Sequence, residues 1–344
     1  MPGRVWPDRA LTVLSPPALI DHFVAEYGEG QALTVPGAPE PTSIGPQVIV
    51  RALDARRGPS GATGAERRIR RERHKTTRWR TRLGSPDHES IDCEVETIGV
   101  FGRSLLQSVV VEPLIAIALA RRDLALLSAA GIVLDGRAIA ICGMSRTGKS
   151  TLALRAWAAG RRVLADDRLV VTSAGQVDGF TRRSRIYPDL VATAPLAAER
   201  IGRRLRTRLT VAGLVRRVSG GFVGLPVLAD RHLLQPIQND PVPLGAIFVI
   251  DRTDPNVRED AVGDLDDPAA VRARLEAIAT RDLAWVAANG DDWRAASAAT
   301  VRAQLDVIDA ALAASGAATR VLAVPGSWDA VRAVRTVADL LETG

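Results

Sequence analysis

Residues 143–151 read GMSRTGKST and lie between an apolar run and an alanine-rich segment. The pattern G-x-x-x-x-G-K-[ST] is filled by Gly143, Gly148, Lys149 and Ser150. Met144, Ser145, Arg146 and Thr147 are the spacers, and Thr151 follows. That spacing lets a short loop wrap its backbone N–H groups around a polyphosphate, while the next helix begins there and aims its positive end at the same charge. Lys149 then places a point charge on the terminal phosphates, and the Ser150 hydroxyl offers a ligand to Mg²⁺. A glycine-rich turn before a helix is the plainer alternative. Against it stands Lys149 itself, because Lys75 is the only other lysine among the 45 Lys and Arg of the chain. ATP and Mg²⁺ are therefore the expected ligands of residues 143–151.

The flanks of the stretch supply the context that such a loop needs. Upstream, ALLSAAGIVLDGRAIAICG (125–143) is two apolar runs joined by Asp135-Gly136, a strong hairpin signal, and the second run leads into the loop. Downstream, KSTLALRAWAAG has helical composition and stops at Gly160. RRVLADDRLVVTSAGQVDGF (161–180) then reads as a short strand, two acids, another strand and a turn. Asp166 and Asp167 lie 16 and 17 residues beyond Ser150. Two neighbouring carboxylates at a strand end, beside a triphosphate and a metal, can divide roles: one binds Mg²⁺ and the other accepts the proton of an attacking hydroxyl. Their proximity raises one pKa by like-charge repulsion. An Asp-Asp turn between hairpin strands is the structural alternative, and the sequence does not say which acid takes which role.

GMSRTGKST and LADD, at this spacing, resemble the C-terminal catalytic domain of HPr kinase/phosphorylase. They also resemble the wider set of HPr-kinase-like proteins, including those found with lasso-peptide biosynthesis. The resemblance covers residues 120–175 well, and the chain down to 340 only in its order of strands and helices. It implies the fold shared with phosphoenolpyruvate carboxykinase, an α/β fold with a P-loop in a mixed sheet flanked by helices. The activity implied is ATP-dependent phosphorylation of a serine hydroxyl on a peptide or protein. Carried onto this chain, it gives Gly143 to Ser150 to the phosphates and Mg²⁺, with Lys149 on the phosphates. Asp166 and Asp167 go to metal binding and proton acceptance, and Ser150 with Asp166 form the metal pair. Two positions depart from the family. Ser128, in LLSAAG, stands where the family has a histidine, which removes support for phosphorylase activity. Arg146 stands where the family loop has glycine. Residues 200–240 show no match to the segments that recognise HPr, so a divergent relative is expected rather than that enzyme.

Residues 1–100 read as a small N-terminal α/β portion, with a helix in PPALIDHFVAEYG and a strand in PQVIVRAL. Residues 101–344 read as the ATP-binding catalytic domain. A dense Arg and Lys run spans 67–82, for which a loop, a strand with a solvated face and an anion-binding arm are all open. SIDCEVETIGV alternates as a strand, and 104–121 reads as a helix. An Arg-rich helical stretch spans 196–217, PLGAIFVIDR is a buried strand, and 268–314 is helical. RVLAVPG is a strand, followed by a helix capped by Ser327. Arg182, Arg183 and Arg185 follow the strands after the aspartates, as anion ligands or as edge charges.

Composition narrows the setting. With 47% hydrophobic residues the chain can bury a large core. Cys93 and Cys142 are too few for a disulfide framework, and Cys142 reads as a small buried hydrophobe. The opening MPGRVWPDRA lacks an apolar signal core. The apolar run LLQSVVVEPLIAIALA is broken by Gln107, Glu112 and Pro113, so a cytoplasmic protein with no membrane partner is expected. The four histidines, His22, His74, His88 and His232, lack metal-ligand spacing. The leading function is a kinase for a serine-type hydroxyl on a peptide or small protein. Alternatives are a kinase of a small-molecule alcohol and a non-catalytic ATP-binding regulatory module. Nucleic acid is disfavoured, since Trp79 is the only aromatic in the basic run and no nucleic-acid motif appears. A homo-oligomer stays open.

Overall fold

Asp135 and Gly136 both take positive φ, 48° and 76°. This is the backbone of a two-residue hairpin turn whose twist matches the flanking strands. It pairs Ala129–Leu134 with Arg137–Gly143 in antiparallel register, from Leu134↔Arg137 to Ala129↔Cys142, as the sequence predicts. The structure, a computed structural model, describes residues 10–13, 17–27, 32–34, 46–53, 69–74, 77–98, 102–180, 182–220, 226–230, 233–234, 240–252 and 262–343. His232, Lys75, and residues 67–68 and 76 of the basic run lie outside these. The protein is mixed α/β, with mixed sheets flanked by helices.

The chain divides into two units, one of residues 1–125 with 279–306, the other of 126–278 with 307–344. The sequence places the boundary at 100 and does not foresee the return of 279–306. The first unit holds a six-stranded sheet in the order Ala32–Thr34, Leu11–Val13, Gln47–Ala52, Ser90–Ile98, Thr77–Leu83, Arg70–His74. The first four are parallel neighbours and the last two antiparallel. Here the basic run becomes two strands, and the second of them meets acids in register on its other neighbour. Arg82 lies opposite Glu94 and Arg80 opposite Glu96. Arg82 pairs with Glu94, and Arg80 Nε is 3.3 Å from a Glu96 carboxylate oxygen. Cross-strand neutralisation of this kind supports a strand and not a loop. Gly102–Ala120 forms one apolar helical run with a π-turn at Gln107–Val111. It is the one helix among the described residues long and apolar enough to cross a membrane, and 72% of that stretch is buried inside the fold.

The second unit carries the GMSRTGKST stretch. Its sheet runs Val163–Ala165, Ala129–Leu134, Arg137–Gly143, Val242–Asp251, Gln176–Gly179, Leu169–Thr172, and ends on Leu124–Leu127, where the division between units falls. Ala318–Ala323 also pairs with Val242–Asp251. Arg137–Gly143, Val242–Asp251 and Ala318–Ala323 are mutually parallel, with Ile250 level with Gly143 and Asp251 level with Ala323. Their carboxyl ends thus line up on one edge, where open α/β sheets bind ligands. The core beneath gathers Ile141, Leu152, Leu154, Val163, Leu322 and Val334 with their neighbours. Two sequence expectations change. The helical stretch 268–314 is two helices, Pro268–Ala287 and Asp291–Ser315, broken at Gly290 with φ 133°. The last helix, Ala330–Thr343, is capped by Asp329, whose carboxylate accepts the Arg332 N–H at 2.8 Å, and not by Ser327.

Candidate functional site

The loop at the end of Arg137–Gly143 is shaped by backbone positions that few residues can take. Gly148 has φ 104°, and a Cβ there would lie 2.9 Å from Val334 Cγ2. At Gly143 a Cβ would lie 2.7 Å from Thr147 Oγ1 and 2.9 Å from the Ile250 carbonyl oxygen. Thr147 is buried, and its hydroxyl donates to the Met144 carbonyl at 2.9 Å, closing the turn. Arg146 is exposed and takes φ 70°, a left-handed conformation that glycine adopts without strain. Met144 is half-buried and Ser145 exposed. Helix Lys149–Ala158 starts directly after Gly148, so its first N–H groups lie at the loop, as a phosphate cradle requires.

Lys149 is 5% exposed, and its ammonium donates to the carbonyls of Gly143 at 2.6 Å and Met144 at 2.9 Å. The lysine therefore folds back over the loop and its charge is held at the cradle. Cys142, one residue before the loop, is buried, and burial pushes its thiol up to about 12 against the field of Lys149. It is a neutral filler, as expected.

The aspartates follow Val163–Ala165, and the hydroxyl of Ser150 donates to the Asp166 main-chain oxygen at 3.2 Å. The two carboxylates sit in different surroundings. Asp166 is 3% exposed. Burial, with Asp167 beside it, pushes its pKa up to about 6 against the fields of Arg182 and Arg185. Burial also pushes Asp167 upward, but Arg182, Arg168, Lys149 and Arg185 together outweigh it and bring the carboxyl down to about 2. Arg182 pairs directly with Asp167, whose side chain keeps 27% of its surface exposed. The contrast leaves Asp167 ionised and half-exposed, and Asp166 buried where the cost of desolvation outweighs the nearby arginines.

Arg182 reaches this position because the hairpin Leu169–Thr172/Gln176–Gly179 folds back over Val163–Ala165. Gly179 makes the crossing: a Cβ there would fall 1.9 Å from the Leu164 carbonyl oxygen. Phe180 N–H then donates to the Arg168 carbonyl at 3.0 Å. Arg183 is half-buried, and Arg185 Nη2 is buried with no hydrogen-bond partner among the described residues. An orphaned guanidinium donor beside two carboxylates and a lysine is what an incoming anion would satisfy. Sequence reasoning missed Arg168 and Gly179. It also missed Asp251, at the end of the strand parallel to the loop strand, which is held by Arg274 Nε at 2.7 Å. Ser128 comes one residue before Ala129, which pairs with Cys142, so it lies near the start of the loop.

No group of three or more His, Cys, Asp or Glu among the described residues is placed to hold a metal. The oxygen donors at the loop are the Ser150 hydroxyl, bonded to the Asp166 main-chain oxygen, and the buried Asp166 carboxyl, and hard oxygens of this kind fit Mg²⁺. The cradle, Lys149 and the guanidinium groups fit a polyphosphate. No protein-family model matches the chain, and no curated protein is similar to it.

Proposed function

We propose that the protein is an ATP-dependent phosphotransferase of HPr-kinase type that passes the γ-phosphoryl group to a hydroxyl on a peptide or small protein. One observation carries the reading. The paired aspartates lie against the first turn of the cradle helix, through the Ser150 hydroxyl and Asp166 carbonyl at 3.2 Å, and the two carboxyls differ in burial and charge. A bare nucleotide-binding module needs no second, half-exposed and ionised acid at that place. The phosphoenolpyruvate-carboxykinase-like fold is part of the same proposal, supported by a loop strand that lies between an antiparallel and a parallel neighbour.

In this reading residues 143–151 and Lys149 hold the phosphates of ATP, and Ser150 with Asp166 holds Mg²⁺. When bound, the ion would supply charge neutralisation for the polyphosphate. Asp167 accepts the hydrogen bond of the acceptor hydroxyl, since it is half-exposed where Asp166 is closed. The acceptor O–P bond forms as the bond from the γ-phosphorus to the β–γ bridging oxygen breaks. ADP leaves with the bond pair, and the hydroxyl proton passes to Asp167. The transition state for such transfer is loose, so orientation counts for more than base strength and a strongly acidic carboxyl suffices. Arg182 and Arg185 face the transferring group and spread its charge.

The test is incubation of the protein with Mg²⁺ and γ-labelled ATP, with and without a cell extract, read by gel and by small-molecule chromatography. Label on a peptide or protein is the expected result. Label on a metabolite would move the acceptor to a small alcohol. ATP binding without transfer would leave a regulatory module, the reading that Ser128 favours by placing no imidazole near the start of the loop.

A further inference from the structure

Helix Arg203–Val218 contains Arg203, Arg204, Arg206, Arg208, Arg216 and Arg217 and no acidic residue. Leu209 is buried, and Leu205 and Ala212 are partly so, which seats one side of the helix on the core of the second unit. On the other side Val211, Leu214, Val215 and Val218 are 55%, 61%, 41% and 81% exposed. Their spacing of i, i+3, i+4 and i+7 makes them a single row. Followed toward the N-terminus at the same spacing, the row passes exposed Arg208 and Thr207 and then exposed Arg204. The outer face is therefore basic in its first half and aliphatic in its second. Scattered exposed aliphatics are ordinary, but a continuous row beside a basic row marks a surface that meets a partner.

The helix is tied to the site by a short path. Arg208 Nη1 lies 3.5 Å from the Leu228 carbonyl oxygen. Val227–Leu228 pairs with Arg185–Ile186, and Arg185, like Arg182, bears its charge on both Asp166 and Asp167.

We propose that this face docks the acceptor, and that the acceptor is an acidic peptide segment. Its carboxylates lie against Arg204 and Arg208, and its aliphatic side chains lie against Val211, Leu214, Val215 and Val218. The proposal rests on the phosphotransfer reading and names the substrate class for it. Charge argues against a second copy of the chain, because two such faces set arginine either on arginine or on valine and leucine. The helix also lacks the Trp, Tyr or Phe that seats a basic helix at a lipid surface. An acidic, aliphatic peptide satisfies both halves of the face.

The experiment uses the full chain and a fluorescein-labelled peptide of Glu and Leu with one Ser, with a control in which Lys replaces each Glu. Binding is read by anisotropy, ATP affinity by calorimetry, and phosphate transfer by mass spectrometry. The acidic peptide is expected to bind and the Lys peptide not. The double variants Leu214→Ser with Val218→Ser, and Arg204→Ala with Arg208→Ala, are expected to weaken binding by about tenfold each, with ATP affinity unchanged. Equal binding of both peptides, or wild-type binding by both double variants, would overturn the docking surface. So would stronger capture by phosphatidylserine vesicles, or a dimer lost in the Leu214→Ser, Val218→Ser variant. Transfer to the peptide that ignores these variants would sink the docking face and keep the kinase. Binding that needs the face, with no transfer, would sink the kinase and keep the face.

Discussion

The Ser150 hydroxyl donates to the main-chain oxygen of Asp166 at 3.2 Å, across 16 residues of chain. This bond joins the start of the cradle helix to the strand end that carries both acids. Ser150→Ala removes the bond together with the hydroxyl that the proposed function assigns to Mg²⁺. Phosphate transfer should be lost, and Mg²⁺ should no longer strengthen ATP binding in a calorimetric titration. The cost in stability is about 1 kcal/mol, the usual worth of one hydrogen bond.

Asp166 and Asp167 act on stability in opposite directions. Asp166 is raised to about 6 when folded. The folded state therefore binds its proton more tightly than the unfolded chain does, and the ligand-free protein loses stability as pH rises toward and past 6. Asp166→Asn should stabilise the metal-free protein at pH 7–8 by on the order of 1–3 kcal/mol, read as a higher melting temperature, while transfer is lost. Mg·ATP should bind more weakly as pH falls below about 6, since its ligand must then give up a proton. Asp167, held near 2, contributes stability that is full above the ordinary carboxylate pKa and is lost as pH falls through it toward 2. No melting-temperature difference between wild type and Asp166→Asn across pH 5–8 would contradict this.

Arg146 occupies φ 70° in the loop. Arg146→Gly removes a strained conformation and should stabilise the protein by about 0.5–1 kcal/mol in denaturant titration. Gly148→Ala, at φ 104° and 2.9 Å from Val334 Cγ2, should do the reverse and weaken ATP binding.

Gly179→Ala sets a methyl group 1.9 Å from the Leu164 carbonyl oxygen, a backbone atom that cannot turn aside. The hairpin must then lift from Val163–Ala165, and the Arg182–Asp167 pair goes with it. Transfer should fall far more than ATP affinity, read as kcat against the dissociation constant of ATP. Equal losses in both would place the hairpin outside the transfer step.

The parts legible in the sequence were local in sequence. The loop and its helix, the Asp135-Gly136 turn and the LADD strand end each declare themselves within a few residues, through turn chemistry and apolar spacing. The break at Gly290 was equally local, signalled by Asn289-Gly290, but the helical composition on either side obscured it. What stayed hidden depends on register and long-range contact. Arg80 and Arg82 become strand residues only because Glu96 and Glu94 lie opposite them, and Arg182 meets Asp167 only after the 169–179 hairpin folds back. Arg168, in a chain so rich in arginine, carries no mark that separates it from surface charge. The return of 279–306 to the first unit leaves no trace in composition.

The most direct test of the phosphotransfer account is Asp167→Asn, measured for ATP binding by calorimetry and for γ-phosphate transfer to an acceptor in the same preparation. The account predicts ATP affinity within about threefold of wild type and transfer reduced by about 10² or more, the range expected when a group positioned on the reacting hydroxyl is removed. Wild-type transfer in Asp167→Asn would contradict it.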